Sequence, residues 1–213
     1  VDLGVAWGNH LGALHWEHTA GDYVLNQTMY VSGYGVDASL YQDGSSLKVP
    51  SSIGTAGYKG KIQWKDFVSG ADVTLYKVRP QAPEKNLNGN MGADDLELQT
   101  AAEFDVYTDY SRTLGECFEV NAGVKASCYL SPENKTFWGL SPAVSLSYNA
   151  YQMGKVTASS SYQHQYLFQT GLSNIGLPID FWFMAGSHSL PQSALSGSLS
   201  YEVGLQNDMY RLS

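Results

Sequence analysis

From Leu96 to Tyr110 the even positions read Leu96, Leu98, Thr100, Ala102, Phe104, Val106, Thr108 and Tyr110, and between them lie Glu97, Gln99, Ala101, Glu103, Asp105, Tyr107 and Asp109. Period two over that length predicts a strand with one apolar and one polar face, far longer than the usual ~5–6 residues. Similar alternation covers Tyr58–Phe67, Ala71–Arg79, Ala143–Tyr151, Lys155–Phe168 and Leu195–Leu205. Tight-turn signals at Ser69-Gly70, Ala122-Gly123, Met153-Gly154 and Gln206-Asn207-Asp208 separate such runs, as hairpin connections do. Longer connections are expected at Asp43–Ala56 and Pro80–Asp94. The pattern predicts an all-β antiparallel meander of roughly ten to fourteen strands. No shift in composition divides residues 1–213, which read as one domain.

Composition sharpens this. Charged residues make up 15% and aromatics 13% of 213 residues, with 22 Gly and 15 Tyr, which excludes a disordered or helix-rich chain. A net charge of -8 without a basic cluster argues against nucleic acid as a partner, since phosphate neutralisation needs concentrated Lys and Arg. The longest strongly apolar run, Phe181–Ala185, is far below the ~20 residues of a spanning helix. Val1–Trp7 opens directly into a strand-like pattern, the form left when a signal peptide is removed. Met209–Ser213 reads like a strand beginning, so the natural chain is expected to be open to continuation at either end.

Low charge, abundant Tyr and Gly, an acidic balance, and segments such as Ala143–Tyr151 and Leu199–Leu205 resemble Gram-negative outer-membrane β-barrel proteins. A membrane-spanning strand needs only about nine to eleven residues. The resemblance implies closure of the meander into a barrel in a bacterial outer membrane. Membrane lipid and small polar solutes are the implied partners, with self-association open. It implies a passive channel or a structural membrane protein with no cofactor; some such barrels are lipid hydrolases built on a His-x-Ser strand motif, which none of the five histidines here supplies, so no enzyme is expected. The chain departs from that pattern in lacking a terminal strand that ends in an aromatic residue. His164, on the apolar side of Lys155–Phe168, would also face lipid. The alternative is a soluble exported β-sandwich or jelly roll, extracellular or on a virion surface, acting in assembly or glycan binding.

Charge is segregated. Lys59, Lys61 and Lys65 share the polar side of one expected strand, and Glu97, Glu103, Asp105 and Asp109 that of another. In a barrel these are candidate lumen charges that sort ions and orient polar solutes; on a wet face they are ordinary cross-strand ion pairs. Glu84, Asn86, Asn88 and Asp95, with Gly89 between them, have the spacing of a calcium loop, although Glu and Asp exchange their usual end positions. His15 and His18 would point to opposite sides of a strand, too few on either for zinc. His188 lies between Ser187 and Ser189, neither of which could share its side of a strand as a nucleophile. Trp7, Trp16, Trp64, Trp138 and Trp182, with Tyr166, Phe168, Phe181 and Phe183, suit interfacial girdles, sugar stacking or plain packing.

Cys117 and Cys128 stand symmetrically about Ala122-Gly123. A two-residue turn there would pair them at disulfide distance. A three-residue Asn121–Gly123 loop with a bulge matches the apolar sides better and would put the thiols on opposite faces. Both registers stand at this point, with a disulfide expected for an exported chain.

Overall fold

The computed structural model describes residues 2–42, 45–79, 84–86, 98–150, 154–171, 180–187, 189–205 and 210–212. Its elements are β1 (Asp2–Ala20), β2 (Tyr23–Gln42), β3 (Ser45–Trp64), β4 (Phe67–Arg79), β5 (Glu84–Asn86), β6 (Gln99–Leu114) and β7 (Phe118–Leu130). They continue with β8 (Thr136–Asn149), β9 (Lys155–Gln165), β10 (Leu167–Gly171), β11 (Asp180–Met184), β12 (Gln192–Leu205) and β13 (Tyr210–Leu212). An 11-stranded sheet runs β1-β2-β3-β4-β6-β7-β8-β9-β12-β13, with β5 beside β3, while β10 and β11 form a separate hairpin. Every ladder is antiparallel. The all-β meander therefore holds. Among the described residues no ladder joins β1 to β12 or β13, so the sheet is not closed.

Strand boundaries differ from the pattern reading where glycine misleads. The turn signals at Ser69-Gly70 and Ala122-Gly123 lie inside β4 and β7, and Ser45 already begins β3, so most of the expected Asp43–Ala56 connection is strand. Gly70 is paired with Tyr107 and Gly123 with Asp109, and a β-carbon at either glycine would run into that partner's side chain. These glycines make room; they do not turn the chain. The connections lie at Gly21-Asp22, Lys65-Asp66 and Gly115–Cys117, where Gly21 and Gly115 take positive φ of 59° and 65°, as tight hairpins require. Neither proposed cysteine register exists. Cys117 is in the β6–β7 turn and Cys128 is near the far end of β7, paired with Phe104 and Trp138, and both are free thiols.

Residues directly paired across a sheet share a face, and neighbours along a strand do not. The registers thus sort side chains into two faces. One, here called outer, carries Met29, Val31, Ile62, Leu75, Phe104, Val106, Val124, Leu140, Val144, Leu146, Leu195 and Leu199, all exposed. At the tight-turn end this face bears a rim of rings. Tyr23, Trp64, Phe67 and Tyr110 follow one another across β2, β3, β4 and β6 with centroid separations of 5.8, 6.4 and 5.0 Å, and Phe118 meets Tyr148 at 4.8 Å. Offset and tilted ring pairs at these distances are mutually stabilising.

The opposite, inner face holds the one buried apolar cluster among the described residues, at the end away from the rim. Ile53, Val78, Ala101 and Tyr129 come from β3, β4, β6 and β7; Tyr166, Phe168, Met184 and Ala185 come from the β10–β11 hairpin and its flanks. The hairpin reaches them because β9 leaves β8. The β8–β9 ladder stops at Ala143 and Ser161, next to Pro142, which has no N–H to donate. Beyond it the chain crosses the inner face. Tyr166 stacks on Tyr129 at 4.7 Å and an interplanar angle of 6°, and the Tyr129 hydroxyl donates to the Ala185 carbonyl at 3.3 Å. Gly139 makes room here, since a β-carbon would strike the Tyr166 hydroxyl and the His164 ring. The expected strand Lys155–Phe168 therefore ends at Gln165, and Tyr166 and Phe168 are packed inside. Its His164 lies against Gly139 of the inner face and not on the apolar outer one.

Candidate functional site on the inner face

Below the apolar cluster, the inner face is polar and divides into two chemical zones. The first is a charged band over β3, β4, β6 and β7. Lys59 is paired with Asp72, and Asp72 with Asp105. Two carboxylates directly opposite repel, and flanking lysines offset this: the Lys125 ammonium reaches Asp105 at 3.4 Å, and Lys59 adjoins Asp72. Tyrosines tie the next rung together. Tyr76 donates to the Glu103 carboxylate at 2.8 Å, and the Tyr30 and Thr74 hydroxyls lie 3.1 Å apart.

The second zone is an uncharged hydroxyl wall on β8, β9 and β12. Ser159 pairs with Ser198 and Ser161 with Ser196, each at 2.8 Å, while Ser147 meets Thr157 at 2.9 Å. At its rim-side edge Lys155 bridges to Glu119 on β7 at 3.0 Å, both about half exposed to solvent screening. Where β9 departs from β8, a cavity of about 390 Å³ opens between the zones. Tyr107, Asp109, Lys125, Ser141, Gln163 and His164 line it over a floor at Gly123. Ser141 is 9% exposed and its hydroxyl has no hydrogen-bond partner. Tyr166 lies nearby, outside the strands, and burial holds its phenol above the ordinary tyrosine range.

Several sequence candidates converge. Lys59 and Lys61 on β3 and Glu103, Asp105 and Asp109 on β6 share the inner face. Lys65 does not join them. It sits in the β3–β4 turn at φ 50°, with its ammonium 5.0 Å from the Trp64 ring centroid. Glu97 lies outside the described residues, as do Asn88, Asp95 and His188. Glu84 and Asn86 of the calcium-like loop fall in β5, paired with β3. No group of three or more His, Cys, Asp or Glu able to hold a metal occurs among the described residues. His15 faces inward, where its Nδ1 lies 2.8 Å from the Thr28 hydroxyl; His18, of opposite parity, faces outward.

Of the expected girdle residues, Trp64 stands in the outer rim, but Tyr166, Phe168, Trp182 and Phe183 belong to the inner cluster. Asp72, Tyr76, Tyr107, Lys125 and the serine wall were not among the sequence candidates. Their signal was present: alternation over Ala71–Arg79 puts Asp72 on the polar side, and Ser145/Ser147, Ser159/Ser161 and Ser196/Ser198/Ser200 recur at period two. Comparison with family models, characterised proteins and solved structures finds no match.

Proposed function

We propose that the chain is an outer-membrane β-barrel of a bacterium that lets small polar solutes pass along its inner face. The observation that carries this reading is the outer face. Leu146, Leu195 and Leu199 are 53%, 78% and 77% exposed with Trp138 at 77%, within an apolar surface spread over the sheet. Monomers in water rarely expose contiguous apolar patches beyond a few hundred Å², whereas lipid accepts such a surface and favours an aromatic rim at its boundary. Lipid also forbids unpaired strand edges, because backbone N–H and C=O groups find no water there. β1 and the β12–β13 side must therefore acquire strand partners, which is the physical ground for barrel closure. The inner face then becomes a wet passage, charged on one side and hydroxylated on the other, narrowed by the β10–β11 hairpin.

Native membranes carrying the protein are washed with urea and then at high pH. Retention, with extraction only by detergent, and stepwise conductance of the folded protein in planar bilayers are the expected results. Release into the wash would return the chain to the class of soluble β-sandwiches, and a folded, retained but silent protein would leave a structural membrane role.

A further inference from the structure

The cavity where β9 leaves β8 has the attributes of a solute-binding site. Its volume of about 390 Å³ lies within the range of small-molecule pockets, roughly 300–1,000 Å³. Its lining mixes every class of hydrogen-bonding group. The Lys125 ammonium and the Gln163 amide donate, the Asp109 carboxylate accepts, and the Ser141 and Ser161 hydroxyls do both. Flat rings border it as well. Tyr107 comes from β6, and Tyr162 meets His164 edge-on at 5.0 Å on the departing end of β9.

Two observations narrow the ligand. The lining contains one carboxylate, Asp109, and one ammonium, Lys125, which Asp105 already holds at 3.4 Å, so an anion is not favoured over a neutral solute. The Ser141 hydroxyl, closed off in the cavity wall, makes no hydrogen bond within the protein, a costly state for a buried polar group that turning its hydroxyl toward a bound ligand would relieve. A ligand with hydroxyl groups on several sides of a ring would satisfy such a site, pairing its edges with the mixed donors and acceptors and laying its apolar face on a tyrosine. We infer that this cavity binds a neutral polyhydroxylated solute of sugar size, and that it is a way station on the inner face. The inference rests on the passage reading for its role, though not for binding itself.

The test uses the full chain folded in detergent, titrated calorimetrically with glucose and maltose as neutral probes and with glutamate and spermidine as anionic and cationic ones. Saturable binding of a sugar in preference to both ions is expected. Tyr107→Ala and Gln163→Ala should each weaken it about tenfold, the size of one lost ligand contact. Ser141→Ala, the mildest change, should weaken it measurably with the fold intact. The inference is overturned if either ion binds more tightly than the sugars, or if sugar affinity is the same in all three variants. The same preparation, placed in planar bilayers, separates the two readings. Conductance that maltose leaves unaltered overturns the way station alone, whereas sugar binding without conductance overturns the passage and retains the site.

Discussion

Leu146 and Ser159 lie on adjacent strands at neighbouring rungs, one on the outer face and one on the inner. Around the first, side chains are apolar and exposed; around the second, hydroxyls pair with hydroxyls at 2.8 Å. A single backbone ladder thus separates two solvents. The lesson is that alternation here does not bury a core: the apolar half of the pattern meets the surroundings, and the core is supplied separately by a hairpin folded onto the polar side.

That contrast can be broken by experiment. The largest effect is expected from Leu146→Arg, which should cost about 2–4 kcal/mol if the outer face lies at the middle of a bilayer. Ser159→Arg, pointing into the wet interior, should change stability by about 0.5 kcal/mol or less. Urea unfolding in lipid vesicles measures both; equal effects would abolish the distinction between the faces. Next comes Gly139→Val, which puts a β-carbon against the Tyr166 hydroxyl and the His164 ring. Such overpacking typically costs about 1–3 kcal/mol, and here it should also expose the hairpin to protease while the sheet resists.

Tyr129→Phe sharpens the comparison within the inner face. It keeps the ring stacked on Tyr166 and deletes the bond to the Ala185 carbonyl, for an expected loss of about 0.5–1.5 kcal/mol. The smallest effect belongs to Glu119→Gln. Its partner Lys155 is 40% exposed, so the ion pair is screened by salt, and wild type and variant should converge in stability at high ionic strength.

Alternation made the long strands and their faces legible, because period two is imposed by the backbone itself. The charged inner residues Lys59, Glu103 and Asp105 could be read for the same reason. Turns were harder. Gly70 and Gly123 look like turn residues, yet each is chosen for what stands across from it, Tyr107 or Asp109, and that relation exists only once strands are in register. The cysteine pairing failed with the turn on which it depended. The departure of β9 was hidden too. The alternation over Lys155–Phe168 runs past Gln165, and only Pro142 on the neighbouring strand and Gly139 beneath Tyr166 show why the ladder ends. The cavity follows from that departure, so its residues, scattered over four strands, formed no motif.

The hairpin has a consequence for the order of assembly. Each long strand of the sheet pairs mainly with its chain neighbour, so those contacts close short loops and can form early. Tyr166, Phe168 and Met184, by contrast, rest on Ile53, Val78 and Ala101, partners supplied by strands much earlier in the chain. Their docking surface does not exist until β3, β4, β6 and β7 have come together. In refolding, strand pairing should therefore precede the burial of Trp182, which makes that tryptophan a natural reporter of the last step.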